Sequence, residues 1–220
     1  MKKIQNAIAH NAQRKNVFMQ FNPDTWTLSD RYGLLISVIQ PRPIAWVSTQ
    51  GKNGSLNLAP FSFFTGITGN PLSVCFCPVN TREGRRKDTL LNIEQTKQFV
   101  VNIVTEAWTE KMNQTSADYP YGVSEFEKAG LTPMASTIVK PPRVKESPIN
   151  LECELLKLVS ISEGPMGGSI VVGKVVYVHI ADTIWKNNKI DHRDLKTVGR
   201  LEGSWYSRTT DTFEMPRPKI

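Results

Sequence analysis

The chain has 220 residues, of which 40% are hydrophobic, and it carries a formal net charge of +7 at pH 7. This composition can bury a substantial core, so it excludes an intrinsically disordered chain and favours one globular domain. The positive charge would suit an anionic partner, but the basic residues are spread along the chain. We therefore predict no binding to nucleic acid and keep a basic-surface binder only as an alternative.

Residues 1–22 are predicted to form an N-terminal arm, followed by a main domain over residues 23–210 and a tail over residues 211–220. The arm is basic but lacks the apolar core of a signal peptide. An uncharged run from Asn53 to Thr81 is long enough to span a membrane, yet Pro60, Gly66 and other breakers interrupt it. The sequence thus predicts a cytoplasmic protein without a membrane partner.

The three cysteines, Cys75, Cys77 and Cys153, have neither a CxxC spacing nor a histidine at zinc-site spacing. This pattern predicts no metal site and favours reduced thiols, as expected in the cytoplasm.

Most of the regular structure is predicted to be β. Apolar, β-branched and aromatic runs predict strands at residues 44–49, 71–77, 98–104, 151–162 and 170–181. Clusters of glycine, proline and asparagine separate these runs. About six strands with few helices predict an antiparallel barrel or sandwich rather than an alternating α/β sheet.

Two helical stretches carry start signals. Asp88 precedes TLLNIEQT, and Thr105 precedes EAWTEKMNQTS, whose early glutamates favour a helix start. A shorter helical piece, SEFEKAG, lies within the proline-rich segment of residues 119–149. That segment is predicted to be a long structured loop, a lid over a pocket or a dimer arm, and the sequence leaves these alternatives open.

The sequence RRKDTLLNI brings three cations and a hydroxyl to the start of the first helix. A helix N-terminus has free N–H groups and a positive dipole end, so Lys87 and Thr89 would suit a phosphate. A capped surface helix would explain the same residues. No Gly-x-Ser-x-Gly, P-loop or GxGxxG motif is present, so neither a serine nucleophile nor a Rossmann nucleotide site is predicted.

The segments PRPIAWVST, NLAPFSFF, KDTLLNI and FVVNIV, in this order, resemble the flavin reductase-like family of FMN-binding split-barrel proteins. The resemblance covers roughly residues 28–206, including EFEKAGL, LECEL, VGKVVYVHI and GRLEGSWY. It implies an antiparallel Greek-key split β-barrel with a few short helices, usually a homodimer with FMN near the subunit interface. A flat isoalloxazine ring needs close backbone approach, which an NLAPFS turn could provide.

The resemblance also implies a set of site residues. The implied cofactor-binding residues are Ser48, Thr49, Asn57, Leu58, Ala59, Pro60, Phe61, Ser62, Arg86, Lys87, Asp88, Thr89, Arg200 and Tyr206. Lys87, Asp88 and Thr89 would contact the phosphate, with Arg86 as an addition. Side chains alternate along a strand, so Trp46 and Thr49 cannot meet one ring from the same face, and Thr49 is favoured. Arg200 has a surface salt bridge as an alternative role.

His179 matches a family position near the flavin and is the candidate catalytic residue, with a core histidine packed against an aromatic ring as the alternative interpretation. His192 lies among charged residues and is predicted to be solvated.

The resemblance implies an enzyme in which NAD(P)H reduces bound FMN by hydride transfer to flavin N5. The flavin would then pass electrons to free flavin, a partner monooxygenase or another acceptor. The alternative is an FMN-binding electron carrier without its own nicotinamide site, since no nicotinamide motif is visible in the sequence.

Overall fold

A computed structural model describes residues 18–219 of the chain, so residues 1–17 of the predicted arm lie outside the described part. The strands are β1 Ala45–Gln50, β2 Leu56–Phe61, β3 Phe64–Gly69, β4 Leu72–Phe76, β5 Gln98–Ile103, β6 Pro133–Met134, β7 Arg143–Val144, β8 Ile149–Ser162, β9 Gly168–Ile180, β10 Trp185–Lys186, β11 Lys189–Ile190, β12 Val198–Arg200 and β13 Tyr206–Arg208. The α-helices are α1 Leu28–Val38, α2 Asp88–Thr96, α3 Thr109–Gln114, α4 Glu125–Ala129 and α5 His192–Leu195, with 3-10 turns at Pro23–Thr25, Glu106–Trp108 and Asp182–Ile184.

Seven strands form one antiparallel sheet in the order β2-β1-β5-β8-β9-β4-β3. The long strands β8 and β9 pair along nearly their whole length, with three register shifts that bend the pair. The prediction of a mainly β antiparallel fold with a few short helices is confirmed. Within residues 18–219, no helix has both the length and the apolar character needed to cross a membrane.

Strand β1 separates two hydrophobic clusters. Ala45 and Val47 join the cluster around Phe76 and Phe99, whereas Ile44 and Trp46 join the cluster that also contains Met112, Phe126 and Val144. The predicted alternation along this strand is therefore confirmed. Burying each large apolar side chain contributes roughly 1.5–3 kcal/mol, so both faces of β1 stabilise the fold.

Helix α1 was not predicted from the sequence. It begins after Thr27, whose hydroxyl accepts a hydrogen bond of 3.2 Å from the amide of Asp30. None of its residues is buried, so the helix has no need of an apolar stripe along one face. Such a stripe is the periodic signal by which a sequence predicts a helix.

Arg42 joins the end of helix α1 to the C-terminal hairpin formed by β12 and β13. Its side chain is 3% exposed, and it donates to the carbonyl oxygens of Ile36 at 2.6 Å, Ile39 at 2.7 Å and Leu201 at 2.8 Å. The backbone of Arg42 also pairs with that of Arg200. A guanidinium at the C-terminal end of a helix satisfies carbonyls that have no intrahelical donor. Burial lowers the pKa of this guanidinium.

The segment of residues 119–149 packs against the sheet. Phe126, Ala129, Leu131 and Val144 are buried in the second hydrophobic cluster. The backbone amide of Leu131 donates to the carbonyl of Phe126, which closes helix α4. The segment is thus built into the core of the subunit and supplies one wall of the site described next.

Candidate functional site

A cleft of about 500 Å³, including its open mouth, lies between strand β2, the start of helix α2 and the loop after helix α3. Seven of the predicted cofactor-binding or phosphate-binding residues line it, together with seven that were not predicted. The lining residues are Asn57, Ala59, Pro60, Phe61, Arg85, Lys87, Asp88, Thr89, Thr115, Ser116, Ala117, Asp118, Tyr119 and Glu125.

Strand β2 forms one wall of the cleft and one edge of the sheet. The prediction of a turn over residues 57–62 is wrong, since the strand runs to Phe61 and the bend follows at Ser62 and Phe63. The amide of Leu58 donates to Glu125 Oε2 at 2.8 Å, so it points away from β1. The backbone nitrogen of Pro60, two residues further on, lies on the same outward side of the strand. No strand pairs with β2 on that side, so the sheet loses no hydrogen bond from the missing N–H group. The carbonyl groups of Leu58 and Pro60 therefore also face outward as main-chain acceptors.

A buried polar network supports the floor of the cleft. Asn57 Nδ2 donates to Thr89 Oγ1 at 2.9 Å, which ties strand β2 to helix α2. Thr49 Oγ1 accepts from Asn57 at 3.3 Å and from Asn92 at 3.1 Å. Thr49 is completely buried, so it supports Asn57 from beneath and does not line the cleft.

The start of helix α2 forms the cationic end of the cleft. Lys87 is the N-cap residue, and its Nζ lies 3.1 Å from Asp118 Oδ1. Arg85 lies 3.6 Å from the same carboxylate and 3.8 Å from that of Asp88. The amides of the first helical turn lack intrahelical acceptors. Since the Asp118 side chain is 69% exposed, its ion pairs contribute little, and an incoming anion could replace it.

Glu125 is a functional candidate that the sequence did not reveal. It is 7% exposed, lines the cleft and accepts the Leu58 hydrogen bond. Burial raises the pKa of its carboxyl group to about 6, although the amide donors that it accepts from lower it. Burial likewise raises the pKa of Asp88 across the cleft. In the sequence, Glu125 looked like an ordinary early-helix glutamate.

A second cleft adjoins the first and shares Pro60 and Ser116 with it. The predicted residues Ser62, Arg200 and Tyr206 line this second cleft. The Arg200 guanidinium lies 4.5 Å from the centroid of the Tyr206 ring, and the Tyr206 hydroxyl donates to Asn113 Oδ1 at 3.3 Å. Among residues 18–219, no acidic side chain forms a salt bridge with Arg200.

Three further predicted residues do not place a side chain in either cleft. Ser48 faces the other side of β1, where its hydroxyl donates to the carbonyl of Pro142 at 2.5 Å. Leu58 packs its side chain into the second hydrophobic cluster, although its backbone borders the cleft. Arg86 pairs with Glu94 of helix α2.

His179 lines neither cleft of this chain. Its Nε2 lies 2.6 Å from Oε1 of the fully buried Glu152, and its ring packs against that of Tyr177 in a tilted arrangement, with ring centroids 4.9 Å apart. The Glu152 carboxylate also accepts three amide hydrogen bonds, from residues 137–139. Burial alone would raise the pKa of Glu152, but these donors and His179 lower it overall. The catalytic role of His179 stays a prediction.

The open antiparallel sheet places its edge strand β2 beside both clefts, and helix α2 begins at the first of them. The helix start at α2 and the outward carbonyls of β2 are suited to a ligand with a phosphate and a polar flat edge. The chain belongs to the flavin reductase-like family, because residues 39–193 match the model of the flavin reductase like domain.

Three solved structures resemble the chain over nearly its whole length. Nitrilotriacetate monooxygenase component B from Bacillus cereus is 35% identical, with a TM-score of 0.86 over 91% of this chain and 100% of that chain. The 2-nitrobenzoate 2-nitroreductase NbaA from Pseudomonas fluorescens is 30% identical, with a TM-score of 0.83 over 92% and 98% of the two chains. A protein with a split barrel domain from Shewanella frigidimarina is 26% identical, with a TM-score of 0.77 over 91% and 100%. The chain is thus a flavin-related oxidoreductase with the split-barrel fold.

Proposed function

We propose that the chain binds FMN in the two adjoining clefts and acts as an NAD(P)H-dependent flavin reductase. The observation that carries this proposal is the cationic start of helix α2, placed at one end of a cleft whose other wall is strand β2. The cationic end of the cleft suits a phosphate, and the outward carbonyls of Leu58 and Pro60 suit the polar edge of a flavin ring. One anion site among the described residues, with no second nucleotide motif in the sequence, favours FMN over FAD.

The chain's own residues would have distinct roles in this reaction. Lys87 and the amides of Asp88 and Thr89 would hold the phosphate, while Asn57 fixes Thr89 in place. Pro60 and Phe61 would limit water on one side of the ring. When bound, the flavin would accept a hydride at N5 and release electrons to a second substrate.

The relatives suggest where the electrons could go. One solved relative is a component of a monooxygenase, and another is a nitroreductase that acts on an aromatic acid. We propose a partner monooxygenase or a small organic molecule as the acceptor. A cytoplasmic location is proposed with this function, since its reductant is a soluble nicotinamide cofactor.

The first prediction tests the reaction directly. Purified protein should be yellow, should release FMN as identified by mass, and should lose its visible flavin absorption anaerobically when NADH or NADPH is added. Dithionite serves as a control that the bound flavin can be reduced. A yellow protein that only dithionite bleaches would instead indicate an electron carrier without a nicotinamide site.

The second prediction is a homodimer in solution. Helix α1 has no buried residue, and Ile67 of strand β3 and Leu72 of β4 are each about half exposed, at 50% and 49%. An apolar surface of this kind next to a sheet edge commonly marks an interface between subunits. Light scattering at micromolar concentration should give twice the mass of the chain. A monomeric mass for the flavin-loaded protein would contradict the proposal.

A further inference from the structure

Glu125 is a buried carboxylate in the cleft that no step of the proposed reaction uses. It reaches the cleft from helix α4 and accepts the Leu58 amide at 2.8 Å, so it holds the outer edge of strand β2. Without it, that buried amide would lack an acceptor. Its second feature is its position in the same cleft as Lys87 and Thr89, the residues assigned to the phosphate.

We propose that Glu125 is a positioning residue that fixes the edge of strand β2 through Leu58 and links binding of the cofactor phosphate to uptake of a proton. This inference rests on the proposed function. A carboxylate and a phosphate that share a partly closed cleft repel each other, so a bound phosphate favours the protonated carboxyl. By the reciprocity of linkage, ionisation of Glu125 weakens binding of the phosphate.

The groups around Glu125 set the direction of this effect. The ionisable residues that share its cleft are Arg85, Lys87, Asp88, Asp118 and Tyr119. Helix α3, which packs against helix α4, carries Glu110 and Lys111, whereas strand β2 carries no charge. Helix α4 itself adds Glu127 and Lys128.

Burial is the largest cause of the raised pKa of Glu125. Of the charges named above, the Asp88 carboxylate raises this pKa further. The shifted value of about 6 places the change of charge between pH 5 and pH 8. The carboxyl is therefore mostly neutral at pH 5 and mostly ionised at pH 8. A phosphate ligand should meet the additional negative charge only at the higher pH.

The test compares the wild type with Glu125→Gln, whose amide oxygen still accepts from Leu58 but cannot ionise. At pH 5 the two proteins should bind FMN with about equal affinity. At pH 8 the variant should bind FMN roughly threefold to tenfold more tightly, because it lacks the charge. The FMN phosphate itself also ionises near pH 6. Comparing the affinities of the variant and the wild type at the same pH, as a ratio, cancels that effect.

Two controls accompany this comparison. Riboflavin has no phosphate, so its affinity ratio should stay near one at both pH values. Glu127→Gln changes an exposed glutamate on the same helix and should behave like the wild type. As a measurement that needs no variant, the titration of the Glu125 carboxyl in the wild type, followed by NMR, should move to higher pH when FMN is added.

The outcomes separate the inference from the function on which it rests. A wild type that binds neither FMN nor riboflavin would overturn the proposed function and this inference together. If both ligands bind but Glu125→Gln and the wild type have about the same affinity for FMN at pH 8, the inference alone is overturned. An unchanged Glu125 titration on addition of FMN would overturn it in the same way.

Discussion

Replacing Lys87 by alanine should weaken FMN binding about tenfold or more, the largest effect on affinity expected of a single side chain in this cleft. A charge-assisted contact to a phosphate contributes roughly 1.5–3 kcal/mol, which corresponds to that change in dissociation constant. Within residues 18–219, the only ion pair of Lys87 is with the exposed Asp118, so folding should depend little on it. Fluorescence titration of FMN against the purified apoprotein would measure the change.

Two controls distinguish a phosphate contact from a general disturbance of the cleft. Riboflavin should bind Lys87→Ala and wild type almost equally, because it lacks the phosphate. Arg86→Ala removes the neighbouring cation, which pairs with Glu94 and does not line the cleft, so it should leave FMN binding within about twofold of the wild type. An equal loss of both ligands in Lys87→Ala would mean that the ring pocket had been disturbed. If neither ligand binds more weakly, the sequence RRKDT serves only as the start of a capped surface helix.

Replacing Arg42 by methionine should lower the free energy of unfolding by about 3 kcal/mol or more. The change leaves the part-buried carbonyls of Ile36, Ile39 and Leu201 without their donor, and each of these groups that stays shielded from water costs roughly 1–3 kcal/mol. This is a large share of the roughly 5–15 kcal/mol typical of a folded domain. Urea unfolding followed by circular dichroism would measure it.

Arg31→Met provides the matched control for Arg42. Arg31 also donates to backbone carbonyls near helix α1, those of Trp26 and Asp24, but its side chain is 39% exposed. Water can replace its hydrogen bonds, so a loss below about 1 kcal/mol is expected. Similar losses for the two variants would show that burial of the Arg42 guanidinium is not what stabilises the hairpin.

The strands and the helix at the phosphate end could be predicted because their signals are local. Predicted strand 98–104 matches β5, and the helix predicted after Asp88 begins one residue earlier, with Lys87 rather than Asp88 as the N-cap. The alternation along β1 assigned Trp46 and Thr49 to opposite faces correctly, since the period of a strand depends only on neighbouring residues.

Other features depend on contacts between distant parts of the chain and were missed for that reason. Strand β2 contains Pro60, which as a local signal predicts a turn, and only its position at the sheet edge makes a strand possible. Glu125 meets Leu58 across 67 residues of sequence, so nothing near it in the sequence indicates its burial. The family resemblance named Ser48 as a ligand, whereas the Pro142 carbonyl that occupies its hydroxyl lies 94 residues away.

The outer edge of strand β2 also affects how the chain could aggregate. Exposed sheet edges invite foreign strands because they present free amides in a regular row. Here the Leu58 amide is already bonded to Glu125, and Pro60 at the next outward position has no amide to offer. A ladder of added strands would therefore be interrupted at these two positions while helix α4 stays in place. Strand β3, at the opposite end of the sheet, has no such protection within one subunit, so misassembly between copies would begin there if the proposed dimer did not cover it.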